Sequence, residues 1–294
     1  MILTGAVSAG AAESQPYALE NSSLARTLSV VDGHLRTTKI VNKRSGAGIT
    51  PTNAMEFRLR LSEGTDRPET AVALTSSDFQ VIATTTNEKG TANGYTFTLT
   101  NRARGITVTV TYELAPNDFF MRKRLTIAST RPVTLERIDV EALAVNDAYQ
   151  PFTAREITAN ASGRWNPGLG QPLYTSGSAT FWGVEFPAAD NQVRDGSLYA
   201  GYLWGRQIVP GKPYETYPAV WGVADQPAFV TDAFFDYINR IRVRPLRLQV
   251  QYNSWFDYGK NVSQEKFAAS VAKVNEELVI HRGNPPLNAY VIDD

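Results

Sequence analysis

Two places in this sequence set polar, chemically useful side chains directly after strand-like runs. The loop Asn253-Ser254-Trp255-Phe256-Asp257-Tyr258-Gly259 follows the apolar run Leu246 to Tyr252, and the pair Asp293-Asp294 follows the run Leu287 to Ile292. Consecutive residues at a strand end face opposite sides, so two adjacent carboxylates can accept hydrogen bonds from separate hydroxyls of one polyhydroxylated ligand such as a sugar. For the same reason they are poorly placed to act as an acid/base pair on one bond. The plainer alternative is that they are polar residues beginning a loop. Much other chemistry is excluded by composition: there is no Cys, and His34 and His281 are the two histidines, so disulfides, thiolate catalysis and Cys/His zinc sites are ruled out. His281 falls at a helix end, where a cation meets the helix dipole favourably, and His34, beside Asp32-Gly33, reads as a turn residue. Carboxylates, hydroxyls and amides remain, and neither a metal nor an organic cofactor is implied.

The 29 Lys and Arg balance 29 Asp and Glu, so no long-range field would draw in nucleic acid or an anionic membrane. Nor is there a run of about 18 apolar residues to span a bilayer. Aromatic residues make up 11% of the chain, a supply that suits stacking on sugar faces and equally suits a large β core. The opening Met1 to Ala12 is small and apolar and resembles the end of a secretory signal peptide without its basic segment, which points to export into a periplasmic or extracellular space. Its other reading is a flexible start. Sequons at Asn21, Asn160 and Asn261 do not decide between the two.

The elements that must position these residues are of two kinds. From Leu24 to about Val243 short apolar–polar alternations are broken by turn residues, the pattern of antiparallel sheet. Tyr95, Phe97 and Leu99 alternate with Thr96, Thr98 and Thr100, and Ile106, Val108, Val110 and Tyr112 alternate with Thr107, Thr109 and Thr111. Phe119, Met121, Leu125 and Ile127 share a strand face interrupted by Lys123, while Arg122 and Arg124 charge the opposite face, which is expected to meet solvent or a partner. Strands recurring every roughly 8 to 12 residues without helices between them predict a large sandwich. Between Ser162 and Pro227, Gly, Pro and aromatics crowd together. Such loops either line a sugar site with rings, including Trp165 and Trp221, or plug the ends of the sandwich.

After Thr231 the pattern changes. Ala233 to Ile241 predicts a short helix with Phe234, Tyr237, Ile238 and Ile241 on one stripe. Pro245 opens the buried strand Leu246 to Tyr252. Ser263 to His281 predicts the best helix of the chain, with Phe267, Val271, Val274 and Leu278 on one face and Gly283 and Pro285-Pro286 beyond its end. Leu287 to Ile292 is then a second buried strand. Strand, helix and strand form a parallel β-α-β unit, and eight such units close a barrel of about 250 residues. The chain stops in what reads as mid-domain. The expected organisation is a signal-like or flexible start over 1–23, a β-sandwich domain over 24–243, and an incomplete (β/α) barrel over 244–294.

Gln249-Val250-Gln251-Tyr252-Asn253-Ser254-Trp255-Phe256-Asp257, the amphipathic helix and Tyr290-Val291-Ile292-Asp293-Asp294 resemble the start of the catalytic barrel in clan D glycoside hydrolases, especially the family 36 α-galactosidases. Gly170-Gln171-Pro172-Leu173-Tyr174, Phe181-Trp182-Gly183-Val184-Glu185-Phe186-Pro187 and Phe120-Met121-Arg122-Lys123 are similar to stretches of the β-supersandwich that precedes that barrel. The resemblance implies a mainly β chain: a β-supersandwich followed by the beginning of a (β/α)8 barrel. It also implies that Asp293 and Asp294 hydrogen-bond hydroxyls of the cleaved sugar and that Trp255 borders the same pocket. In such enzymes a nucleophile after the fourth barrel strand and an acid/base after the sixth work with retention, their carboxyls about 5 to 5.5 Å apart. Neither strand is present, so no catalytic residue is expected in this chain, and the Gly that usually follows the Asp pair is absent.

The implied function is the front portion of a retaining α-glycosidase acting on terminal α-linked galactose or N-acetylgalactosamine, with an α-galactoside-type carbohydrate as partner. The alternative is a non-catalytic carbohydrate-binding or assembly module. Apolar strands without a covering layer also favour protease sensitivity or a homo-oligomer.

Overall fold

β-branched and aromatic residues alternating with threonine fit a pleated, half-buried surface, and they dominate the first part of the chain. The computed structural model describes residues 16–53, 55–64, 70–89, 92–145, 147, 149–151, 169–245 and 247–293. In chain order, β1 (Tyr17–Glu20), β2 (Leu24–Val31), β3 (His34–Asn42) and β4 (Gly48–Ile49) make a four-stranded antiparallel sheet. It begins before Leu24, where the alternation becomes visible, because Tyr17–Glu20 pairs with β2. Next come β5 (Arg58–Ser62), β6 (Val72–Thr75), β7 (Gln80–Lys89), β8 (Ala92–Asn101), β9 (Ile106–Leu114), β10 (Phe120–Ser129) and β11 (Val133–Ala144). They are followed by β12 (Tyr149–Pro151), β13 (Leu173–Thr175), β14 (Thr180–Val184), β15 (Gln192–Arg194), β16 (Ser197–Ile208), β17 (Tyr214–Glu215) and β18 (Ala219–Val223).

These strands form two further antiparallel sheets. A nine-stranded sheet runs β12-β13-β14-β18-β10-β9-β8-β7, with β17 attached to β10, and a five-stranded sheet runs β15-β16-β11-β5-β6. The chain crosses between them repeatedly, as from β10 to β11, so their inner faces pack together as a sandwich. Leu99, Val108, Val110, Leu125, Ile127, Leu135, Ile138 and Val140 are fully buried between them. The mainly β, antiparallel reading of the sequence is what the structure has.

Trp182 and Trp221, directly opposite on β14 and β18, stack in the core with ring centres 5.6 Å apart. Beside them Gly222 leaves room for the Phe181 ring, which would lie 2.0 Å from a Cβ at that position.

The chain divides into two compact units, Met1–Arg240 and Ile241–Asp294. The first closes with helix α1 (Val230–Ile241), which buries Val230, Ala233 and Tyr237. Tyr237 packs its ring 4.8 Å from Phe120 and donates its hydroxyl to Glu185 Oε1 at 2.7 Å. Glu185 also accepts from Arg122 Nε at 2.5 Å. The strand face carrying Phe120 and Arg122 thus meets a helix of the same unit.

The second unit contains β19 (Gln251–Asn253), the helical turn α2 (Trp255–Tyr258), α3 (Gln264–Val274) and β20 (Ala289–Val291). β19 and β20 are parallel, with Tyr252 opposite Tyr290. Ser263 caps α3 by accepting from the Lys266 N–H. Phe267, Val271, Val274 and Leu278 are its less exposed face, as the spacing predicts. The helix continues as a π-helical turn over Asn275–Ile280 and ends at Gly283, whose φ of 68° suits glycine.

The apolar runs Leu246 to Tyr252 and Leu287 to Ile292, expected to lack a covering layer, contribute three paired residues each. Leu248 is 85% exposed and Ile292 63%. A two-stranded sheet pairs each strand on one side only and covers one face with α3, so the apolar composition of these runs has nothing else in the unit to bury it.

Candidate functional site

The C-terminal ends of β19 and β20 lie side by side because the pair is parallel, and Ser254 ties them together. Its N–H donates to the Val291 carbonyl at 3.0 Å, and its Oγ accepts from the Asp293 N–H at 3.0 Å. Ser254 is fully buried, and its carbonyl accepts from the N–H groups of Asp257 and Tyr258, which starts α2.

Asn253, the last residue of β19, joins the two predicted site positions. Its Oδ1 accepts from the Trp255 N–H at 2.8 Å, and its Nδ2 donates to Asp293 Oδ2 at 2.9 Å. With both ends of the amide engaged, its orientation is fixed by hydrogen bonding. Asp293 is exposed, and its Oδ1 has no partner among the described residues. A carboxylate held by one oxygen and open at the other is a pre-set acceptor for a hydroxyl donor. Trp255, 43% exposed, leaves ring surface available beside Asn253. Asp294 lies outside the described residues.

On the helix side of the pair, Tyr252 sits between Phe267 and Tyr290, with ring centres 6.1 Å from each. Its hydroxyl donates to Asp257 Oδ2 at 2.7 Å. That contact engages one oxygen of Asp257, as Asn253 engages one oxygen of Asp293. Such an arrangement can bind and orient a hydroxylated ligand. Among the described residues no group of three His, Asp or Glu side chains gathers to hold a metal ion. His281 lies 3.6 Å from Glu277 at the helix end, and His34 Nδ1 meets the Phe79 carbonyl at 2.9 Å beside its turn.

Sequence reasoning named Trp255 and Asp293 but passed over Asn253 and Ser254 as site residues. The available signal was a short polar pair placed between a strand and an aromatic, where side chains commonly satisfy loop backbone groups.

The aromatic loops divide. Trp165 lies outside the described residues; Tyr174, Phe181, Trp182 and Trp221 are core. Phe186 and Tyr217 stack nearer the surface, 4.4 Å apart and 8° from parallel, with Tyr217 44% exposed.

A second cluster of charge, in the sandwich, was not legible. Lys123 is 2% exposed and donates to Glu141 Oε1 at 2.9 Å and to the Glu56 backbone carbonyl at 2.5 Å. Arg26 reaches Glu141 at 2.6 Å and Glu56 at 2.9 Å, and Tyr112 donates to Glu56 Oε2. Two cations face two carboxylates, all 3% exposed or less. Burial would push the Glu56 carboxyl up, but the charges of Lys123 and Arg26 with hydrogen bonds from Tyr112 and Thr37 outweigh it and hold it down at about 2. Burial and the Glu56 charge push the Tyr112 phenol well above its ordinary range. The cluster draws one strand or more from each of the three sheets of the first unit. It is closed to solvent and links strands of all three sheets through hydrogen-bonded ion pairs.

No protein-family model matches the chain, and no curated protein matches it in sequence. Solved structures do. The galactosidase domain of an α-galactosidase–sucrose kinase aligns over 95% of this chain and 50% of its own, with a TM-score of 0.60 at 12% identity. A GH36 α-galactosidase from Geobacillus stearothermophilus aligns over 95% and 50%, at 0.54 and 10%. The α-galactosidase from Lactobacillus brevis aligns over 96% and 48%, at 0.55 and 10%. The chain therefore spans about half the length of these structures and shares their fold over nearly all of its own.

Proposed function

We propose that this chain is the front portion of a retaining α-glycosidase: a β-supersandwich domain and the opening of a (β/α)8 barrel, with the cleaving carboxylates contributed by later barrel strands. The preferred substrate class is a terminal α-linked galactose or N-acetylgalactosamine. The observation that carries the reading is the joined end of the parallel pair, where Asn253 positions both Trp255 and Asp293 in a fold shared with α-galactosidases. In a barrel the C-terminal strand ends form the active-site face. Here that face holds a carboxylate with an open oxygen next to an exposed indole, a suitable combination for a hydroxyl-rich ring with an apolar side. Asp294, the other half of the pair, is assigned to the same sugar, and the domain division near residue 243 and an exported location belong to this proposal.

The division of labour makes two assays decisive. Residues 1–294 alone should not turn over an aryl α-galactoside. In the chain extended through the barrel, Asp293→Asn should lower kcat/KM by about 10- to 100-fold, since a charged acceptor to a hydroxyl contributes roughly 1.5 to 3 kcal/mol. Robust hydrolysis by 1–294, or an extended enzyme indifferent to Asp293→Asn, would overturn the reading.

A further inference from the structure

Each of the two large sheets carries an irregularity beside a cluster of aromatic rings. On β16, Trp204 and Gly205 stand opposite the single residue Glu136 of β11, because Leu203 pairs with Arg137 and Arg206 with Leu135. Gly205 has a φ of 61° and open space where a Cβ would stand, so glycine serves the backbone conformation there and not close packing. On the other sheet, Thr216, Tyr217 and Pro218 stand against Arg124 and Leu125, because Glu215 pairs with Thr126 and Ala219 with Lys123. Thr216 Oγ1 accepts from the Leu125 N–H at 3.0 Å and holds the longer strand in place. An extra residue of this kind bends its strand and re-aims a side chain, a device concentrated beside functional sites.

The rings at the two irregularities form one assembly. Trp204 lies on Tyr214 with ring centres 4.1 Å apart and 31° from parallel, and both are half-buried. The Tyr214 and Tyr202 hydroxyls are hydrogen-bonded at 2.9 Å. Tyr202 is fully buried and meets the rings of Phe186 and Tyr217 at 5.3 and 5.6 Å. Tyr217 stacks on Phe186 and stays largely open to solvent. Two accessible ring planes, those of Trp204 and Tyr217, are thus held in position by rings beneath them, which lowers the entropy lost on binding. Charges of both signs border them. Arg124 and the exposed Glu215 lie 3.5 Å apart, and exposed Arg206 is close enough to Tyr214 for its charge to act on the phenol. The ring surface left open is on the order of 200 to 300 Å². A stable protein partner needs roughly 800 Å² a side, so the patch is the size of a small ring-shaped ligand.

We propose that Trp204 and Tyr217 form a second carbohydrate-binding site, a platform on the sandwich that takes pyranose rings of a neutral polysaccharide. Such a ring has an apolar C–H face to lie on an indole or a phenol. The hydroxyls at its edge can donate to Glu215 and accept from Arg124 and Arg206. The platform belongs to the first unit and shares no residue with the strand-end site.

The test is affinity electrophoresis of residues 1–294 through gels containing galactomannan, with a fluorescence titration by the same polymer and sedimentation of the same samples. Galactomannan is neutral and carries α-galactosyl branches; only this choice of polymer rests on the function proposed above. The wild type should be retarded, and its tryptophan emission should change on binding. Tyr217→Ala should weaken binding about 3- to 10-fold, and Tyr217→Phe should restore it, since the ring face makes the contact. Trp204→Phe should keep binding and lose the emission change. Tyr217→Leu replaces Tyr217→Ala if circular dichroism shows misfolding. Asp293→Asn should leave the retardation as it is. A wild type that is not retarded, a Tyr217→Ala variant that binds as tightly as the wild type, or retardation abolished by Asp293→Asn overturns the proposal. So does a dimer that Tyr217→Ala dissolves. Binding lost in Tyr217→Ala, together with an extended enzyme indifferent to Asp293→Asn, would overturn the strand-end assignment and leave this site standing.

Discussion

Lys123 interrupts an otherwise apolar strand face, and its ammonium is satisfied only because Glu56 and Glu141 arrive from distant parts of the chain. Removing one partner of a buried ionic cluster leaves uncompensated charge, which costs about 3 to 5 kcal/mol. Lys123→Met should accordingly lower the urea midpoint strongly, and stability equal to the wild type would contradict the role of the cluster. The same geometry sets an acid dependence. A carboxyl held at about 2 when folded, against roughly 4.3 when unfolded, contributes stability that is fully present above the unfolded value. That stability is lost as pH falls through the folded one, and amounts to on the order of 3 kcal/mol. Lys123→Met raises the folded value and so narrows that window. Acid titrations should show the wild type resisting to lower pH than the variant, even after its lower starting stability is subtracted.

At the scale of elements, close approach between β14, β18 and helix α1 depends on a missing side chain. Phe181 fills the space where a Cβ on Gly222 would stand, and the same ring packs 5.4 Å from Phe234 and 5.6 Å from Tyr237 on the helix. Gly222→Ala forces that ring toward the helix, and overpacking of this kind costs about 1 to 3 kcal/mol. Because Tyr237 also donates to Glu185, which holds Arg122, the displacement should reach that hydrogen bond. A thermal midpoint lowered by several degrees, with weakened exchange protection in 230–240, is the expected outcome. An unchanged midpoint would mean that the strands tolerate the methyl.

For the whole molecule, the two units differ in how their apolar residues are covered. The first buries its large side chains between sheets, whereas Val243 is 97%, Leu248 85% and Phe256 86% exposed in the second. Backbone with few buried contacts opens at low free-energy cost and is cut first. Limited proteolysis should therefore cleave between residues 243 and 250 before any β-strand of the first unit, leaving a resistant fragment of the sandwich. Simultaneous loss of both units would contradict the division.

Local pattern determined the classes of element. Period-two alternation from Leu24 onward could be satisfied only by antiparallel sheet, and the i, i+4, i+7 stripe of Phe267, Val271 and Val274 only by a helix lying on a strand pair. The turn at Asp32-Gly33 was equally legible, since backbone with positive φ favours those residues. The sequence also placed Trp255 and Asp293 at strand ends, because loop residues after a parallel strand emerge on one side of the sheet. Tertiary structure alone decided the rest. Arg26, Glu56, Lys123 and Glu141 are separated by up to 115 positions, and nothing in the charge of a single residue says which distant strand will oppose it. Nor does apolar composition say whether a strand finds a second neighbour, and only the fold decided that Leu248 and Ile292 lie exposed. That Asn253 binds Trp255 with one end of its amide and Asp293 with the other required the parallel register of β19 on β20, which brings together residues 40 positions apart.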